Sequence, residues 1–176
     1  FVAVKLIDVA GLVPGAHEGK GLGLSFLDDL NQADVLIHVI DAAGATNEKG
    51  EAISPGSYDP ANDITFLERE LDYWYLAILK KGWEKLSRTA VAEKQNIVKV
   101  IAKQLSGVRV TEDHVKQAIK NLPENFAQWK EEELLQLSSA LRKLSKPMVI
   151  AANKADLPPA EANIANLKKK CPHLTI

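Results

Sequence analysis

Two apolar, β-branched-rich runs, each ending in polar groups, constrain this chain more than any other feature. Val2 to Asp8 ends on a carboxylate and opens into a segment where Gly11, Gly15, Gly19, Gly21 and Gly23 crowd together. Pro147 to Ala152 reads PMVIAA and ends in Asn153-Lys154-Ala155-Asp156. A buried strand that delivers a polar side chain to its C-terminal end, then a loop, then a helix, is how open parallel α/β sheets build a ligand site. Both runs have that form, which predicts an α/β fold with the site along one edge of a parallel sheet.

The segments between them supply the other layers. Gly23 to Gln32 predicts a short helix with Phe26, Leu27 and Leu30 on its apolar face. Ala33 to Asp41, ADVLIHVID, is apolar through most of its length and is expected to be a strand buried on both faces, with His38 as a hydrogen-bonded core histidine. Ala42 to Pro60 is rich in Gly, Ser, Asn and Pro without periodicity, so a mobile loop is expected. Asp59-Pro60 then starts a long helix, a capping carboxylate followed by Pro in the first turn. Ile64, Leu67, Leu71, Trp74 and Ile78 repeat at spacings of three and four. Glu93 to Leu105 repeats the pattern with Ile97, Ile101 and Leu105 and stops at Gly107. Thr111 is placed to cap a third helix carrying Val115, Ile119 and Leu122, and Leu134, Leu137, Leu141 and Leu144 form a fourth seam. Short connections between amphipathic helices imply antiparallel packing, so these seams and Trp74 and Trp83 are read as core. A helix over Ala160 to Lys170 and a strand starting at Leu174 close the chain.

Composition narrows the class. A chain of 176 residues buries a real core as one domain, or as one domain carrying an insertion. The 22 basic and 23 acidic residues nearly cancel, so no global field draws the chain to nucleic acid or to a membrane. A single cysteine, Cys171, leaves no intrachain disulfide and no cysteine-built metal site, and fits a reducing cytoplasm. No apolar run approaches the roughly 18 residues of a membrane span. Phe1 begins inside a strand pattern, so the chain is expected to be a piece of a longer protein.

Asp8-Val9-Ala10-Gly11 is the first chemical group. In nucleoside triphosphatases a carboxylate at such a place holds Mg²⁺, usually through water, and the glycine lets a backbone N–H approach the γ-phosphate. The other reading is a plain Asp-containing turn at a strand end. The glycines downstream do not form a phosphate-binding loop. Gly15 to Lys20 has one residue too few between its glycines, and Gly21 stands where Ser or Thr is required. G-x-G-x-x-G fails as well, because Leu24 occupies the third glycine position after Gly19 and Gly21. The segment reads better as one that rearranges around a γ-phosphate.

DVAGLVPGAHEGKGLGLSFLDDL closely resembles the switch II segment of the Obg-like GTPases, in particular the YchF-related branch, and NKAD resembles the guanine-recognition motif of the same group. The resemblance runs on through the strand ending at Asp41, through Asp59-Pro60 to Glu70-Leu71, and again over Pro147 to Asp156. It implies a partial GTPase domain formed by residues 1–41 and 147–176, with a loop and helical insertion over 42–146. It also implies a phosphate loop before Phe1 and a further domain after Ile176. By this resemblance Asp8 serves Mg²⁺, Gly11 serves the γ-phosphate, and Asn153, Lys154 and Asp156 bind GTP. Asp156 would accept both the N1–H and the exocyclic N–H of guanine, a pairing adenine cannot make. Lys154 would lie along the base and Asn153 would tie the loop to the phosphate loop. Relatives with an altered motif prefer ATP, and NKAD departs from them toward GTP.

Leu12 stands where many GTPases carry a Gln that orients the attacking water. The resemblance therefore implies slow intrinsic hydrolysis, or catalysis by another group or a bound cation. His17 and Glu18 are candidates to position water, against the reading of solvated loop residues. Between Lys80 and Lys103 there are seven basic residues and two acidic ones, which is either a solvated helix face or a patch for RNA phosphates. The expectation is a GTP-hydrolysing switch of this type, linked to the ribosome or translation. The alternative is a nucleotide-free binding module whose helical insertion contacts RNA or protein.

Overall fold

The computed structural model describes residues 3–9 and 30–176. The chain divides into two compact units, one comprising residues 1–34 and 69–147 and the other residues 35–68 and 148–176. Residues 42–68, which the sequence groups with the helical insertion, thus belong to the unit that contains NKAD.

The second unit is built on two parallel strands, β1 (Leu36–Asp41) and β2 (Met148–Asn153), in register from Leu36 opposite Met148 to Asp41 opposite Asn153. The chain end adds to β2: Val149 bridges Thr175 in parallel, and Ile150 N–H donates to Thr175 O at 2.8 Å. One face of the pair is packed. Ile40, Met148 and Ile150 bury against Ala61 and Ile64 of α1 (Ala61–Lys80) and against Leu167 and Cys171 at the end of α6 (Pro158–Lys170). The other face carries Val35, Ile37, Val39 and Val149, which are exposed, so the apolar run of β1 is buried on one side only among the described residues. Alternation along a strand sends successive side chains to opposite faces, and continuous apolarity alone does not say whether both are covered.

His38 also departs from expectation. Its Nδ1 is buried without a hydrogen-bond partner among the described residues, and burial pushes its pKa down to about 4. Residues 3–9 form no strand, and Val4 and Leu6 are exposed. An apolar run becomes a strand only when its N–H and C=O groups find a ladder partner, and none is made there among the described residues.

The described part of the first unit is helical. The second half of α1 buries Leu71, Trp74, Tyr75, Leu76 and Leu79. The predicted seam drifts here: Ile78 is half-buried and Leu79 takes the core position, because 3.6 residues per turn slips against a strict 3-4 spacing. Gly82, at φ +80, separates α1 from α2 (Trp83–Ala92), a break that the sequence reading does not anticipate. Lys94 adopts φ +51, and Asn96 then caps α3 (Ile97–Gln104) by accepting Val98 N–H at 2.9 Å, so that helix starts later than Glu93. Thr111 caps α4 (Glu112–Ala118) as the sequence predicts: its hydroxyl accepts His114 N–H, and His114 Nδ1 accepts Thr111 N–H in return. Leu134, Leu137 and Leu141 of α5 (Glu131–Ser145) are buried, and Tyr75 Oη is hydrogen-bonded to Ser145 Oγ at 2.8 Å.

Candidate functional site

Residues 42–60 follow the C-terminal end of β1, and they are not the loose loop that their composition suggests. Asp41 organises them. Its Oδ1 accepts Ala43 N–H at 3.0 Å, and its Oδ2 accepts Ala45 N–H at 3.2 Å and the Thr46 hydroxyl at 2.6 Å. A carboxylate that accepts from backbone two and four residues ahead turns the chain tightly back on itself. Thr46 bridges Ala52, Ile53 N–H donates to Ala45 O at 2.9 Å, and Gly56 N–H to Ala43 O at 2.8 Å. Gly44 is required: at φ +59, a Cβ there would lie 2.1 Å from Tyr58 O. Ala42, Ala43 and Ala160 are fully buried together, and Asn163 Nδ2 donates to Ala42 O at 2.9 Å, which fixes the segment on α6.

β2 delivers the second part. Asn153 is its last residue, and its Oδ1 accepts the following Lys154 N–H at 2.9 Å. Lys154 adopts φ +56, and Leu157 N–H donates back to Lys154 O at 3.2 Å, closing a turn that ends at Pro158 at the start of α6. The Lys154 ammonium reaches across to β1, 2.8 Å from Asp41 Oδ2 and 3.0 Å from Thr46 Oγ1. Burial is the largest single influence on Asp41 and raises its pKa. The hydrogen bonds from Lys154 and Thr46, the Lys154 charge and the Ala43 N–H together outweigh it and hold the carboxyl below its ordinary value. Asp41 is therefore an anion. Asp156 is exposed and makes no side-chain hydrogen bond among the described residues.

The structure thus brings Asn153, Lys154 and Asp156 into one turn at the end of a parallel strand. Asp8 lies in the other unit and is exposed. Gly11, His17 and the short helix expected from Gly23 lie outside the described residues, apart from a helical stretch at residues 30–32. No group of three or more His, Cys, Asp or Glu side chains among the described residues is arranged to hold a metal ion. Asp8 alone fits only a shared role toward Mg²⁺, an ion that keeps several waters and takes much of its shell from substrate phosphates. Sequence reasoning missed Asp41 and Thr46. The signal was a strand ending in Asp followed by Gly and Thr, which reads as an Asp-anchored turn.

Residues 2–71 match the family described as 50S ribosome-binding GTPase. The chain is 54% identical over 96% of its length to an uncharacterized GTP-binding protein of Methanocaldococcus jannaschii, of which it spans 42%. A solved GTP-binding protein from Pyrococcus horikoshii superposes with a TM-score of 0.76 at 43% identity, covering 84% of this chain and 43% of that one. Obg-like ATPase 1 of Gallus gallus is 29% identical over 85% of the chain. Over the stretches compared, the chain is similar to GTP-binding proteins and to an Obg-like ATPase. It spans about two fifths of the length of the M. jannaschii relative and 36% of the Gallus gallus relative. The turn after β2 occupies the C-terminal edge of the parallel pair, the edge where α/β sheets place ligands.

Proposed function

We propose that this chain is the part of a YchF-related, Obg-like GTPase that reads the guanine base, in a protein that binds and hydrolyses GTP in the cytoplasm. The observation that carries the reading is the turn Lys154 to Leu157, which presents the Asp156 carboxylate without a competing partner among the described residues. An unpaired carboxylate accepts guanine's two adjacent N–H groups, whereas adenine offers an acceptor at the same ring position. Asn153 and Lys154 frame the base site. Asp8 holds the Mg²⁺ shell, and Gly11 permits close approach to the γ-phosphate. When bound, Mg²⁺ neutralises the phosphate charge that develops as the γ-phosphoryl leaves. Leu12 supplies no hydrogen bond to water, so turnover depends on another group, with His17 the candidate.

The test is nucleotide affinity in the full-length protein that carries this sequence. Asp156→Asn should weaken GTP by roughly 2–4 kcal/mol, the loss of a charged bidentate contact, and favour xanthosine triphosphate, whose O2 meets the new amide donor. A wild-type protein that binds ATP better than GTP would sink the reading. Asp8→Ala should abolish Mg²⁺-dependent hydrolysis, and hydrolysis at the wild-type rate would return that motif to a plain turn.

The helical unit supports a ribosome or RNA contact. Lys80, Lys81, Lys85, Arg88, Lys94, Lys99 and Lys103 are all exposed, and a cavity of about 590 Å³ is lined by Lys80, Trp83, Glu84, Lys85 and Arg88 among others. Lys80 is paired to Glu131 at 2.7 Å, which leaves the Lys81 and Lys85 end as the more available charge for phosphate. Co-sedimentation of the protein with large ribosomal subunits should fall on changing Lys81, Lys85 and Arg88 to Glu. Unchanged co-sedimentation would assign the run to a solvated face.

A further inference from the structure

We propose that Asp41, at the end of the neighbouring strand, is a specificity-determining positioning residue that acts on the nucleotide base through Lys154 and Asp156. The inference rests on the guanine-reading role given above to Asp156. It adds a residue from a different strand, outside the NKAD motif.

The geometry has three parts. The register sets Asp41 opposite Asn153, so the last residue of β1 lies beside the first residue of the base-reading motif. Asp41 Oδ2 and Thr46 Oγ1 then hold the same ammonium, at 2.8 and 3.0 Å. The Thr46 hydroxyl donates to Asp41 at 2.6 Å and accepts from Lys154, so the three groups close a ring of hydrogen bonds. The Asp41 side chain is 12% exposed and that of Lys154 41% exposed, so the pair is partly shielded from water and counts for more than a surface ion pair.

The third part is backbone conformation. A left-handed lysine is disfavoured by contact between its Cβ and its own carbonyl oxygen, so the turn needs something to hold it there. The tether from Lys154 Nζ to β1 does so from one side, and the Lys154 N–H to Asn153 Oδ1 bond from the other. Asp156 stands two residues further on in the same turn and has no hydrogen bond of its own to fix it among the described residues. Its carboxylate therefore inherits its position from Lys154. Releasing the ammonium frees the turn, and the cost falls on the nucleotide whose recognition needs a placed carboxylate.

The experiment measures GTP and ATP dissociation constants in the full-length protein and in Asp41→Asn, Thr46→Val, Asp156→Ala and the Asp41→Asn/Asp156→Ala double variant. Asp41→Asn should weaken GTP about tenfold while ATP stays within about twofold, because only guanine uses Asp156. In the Asp156→Ala background the same change should cost GTP less than about twofold, since residues acting through one another do not add. Thr46→Val removes one of the ammonium's two acceptors and one donor to Asp41 while keeping the carboxylate itself, and should move GTP alone by about threefold. It carries the test by itself if Asp41→Asn does not fold. Equal losses of GTP and ATP would overturn the inference, as would a full additive loss in the double variant. If Asp156→Ala weakens GTP but Asp41→Asn does not, this inference fails and the guanine reading stands. If Asp156→Ala leaves GTP unchanged, the guanine reading fails and takes this inference with it.

Discussion

Arg142 of α5 donates from Nε to Asp72 Oδ1 of α1 at 2.6 Å, with the arginine side chain only 2% exposed. A guanidinium that far from water is tolerated only while a hydrogen-bonded carboxylate stays beside it. Asp72→Ala removes a charged hydrogen bond from a buried guanidinium and should cost about 1.5–3 kcal/mol in urea unfolding. Replacing both residues by apolar side chains of similar volume, Arg142→Met with Asp72→Leu, should recover part of that loss. If the double variant is no more stable than Asp72→Ala, the pair contributes more than charge compensation.

Gly44 offers a local test of the segment after β1. Gly44→Ala must overcome both a left-handed backbone and a Cβ aimed at Tyr58 O, and is expected to cost about 3 kcal/mol. Gly50 has a similar φ of +79 and open space around it, so Gly50→Ala should cost only about 1 kcal/mol. Hydrogen exchange should localise the damage: the Tyr58 amide, bonded to Gly44 O at 3.2 Å, and the Gly56 amide should exchange faster in the first variant only. Equal losses in the two variants would mean that the close approach does not matter.

His38 gives the protein a pH dependence of defined sign. Its folded pKa of about 4 lies below the ordinary value of 6.5, so between those values the unfolded chain binds a proton that the folded state refuses. The stability tied to the neutral ring is complete above about pH 6.5 and is lost as pH falls toward 4. Allowing for partial exposure, the loss is on the order of 2 kcal/mol. His38→Leu should flatten the curve in that window relative to the wild type, as read by thermal unfolding at pH 7 and pH 4.5. A wild type and variant that lose stability in parallel would show that other groups govern the acid limb.

Much of this was open to reading in advance, and the exceptions have physical causes. β2 and its NKAD end were legible because an apolar run bounded by polar groups has few alternatives. Thr111 was legible because capping is a local chemistry. The break at Gly82 was not, since the apolar spacing on either side continues across it and periodicity is blind to one left-handed residue. Covering of a strand face is a tertiary property, which a run of valines and isoleucines does not encode; the exposed Ile37 and Val39 are the outcome. Asp41 escaped notice for a different reason. The Gly and Thr that follow it mark the turn, but the lysine that it holds lies 113 residues further on and leaves no pattern around it.

The contact between Lys154 and Asp41 joins positions 113 residues apart. During synthesis at about 5–20 residues per second, Asp41 emerges roughly 6 to 20 seconds before the lysine that completes it. Helices α2 to α5, whose contacts are mostly close in sequence, need far less time than that. The growing chain should therefore hold a folded helical unit while β1 still lacks its parallel neighbour. Protease challenge of ribosome-bound chains stalled where Lys146 has just left the exit tunnel should find α2 to α5 protected and the 42–60 segment open to cleavage. Protection of both at that length would mean that the Asp41 turn forms without the help of β2.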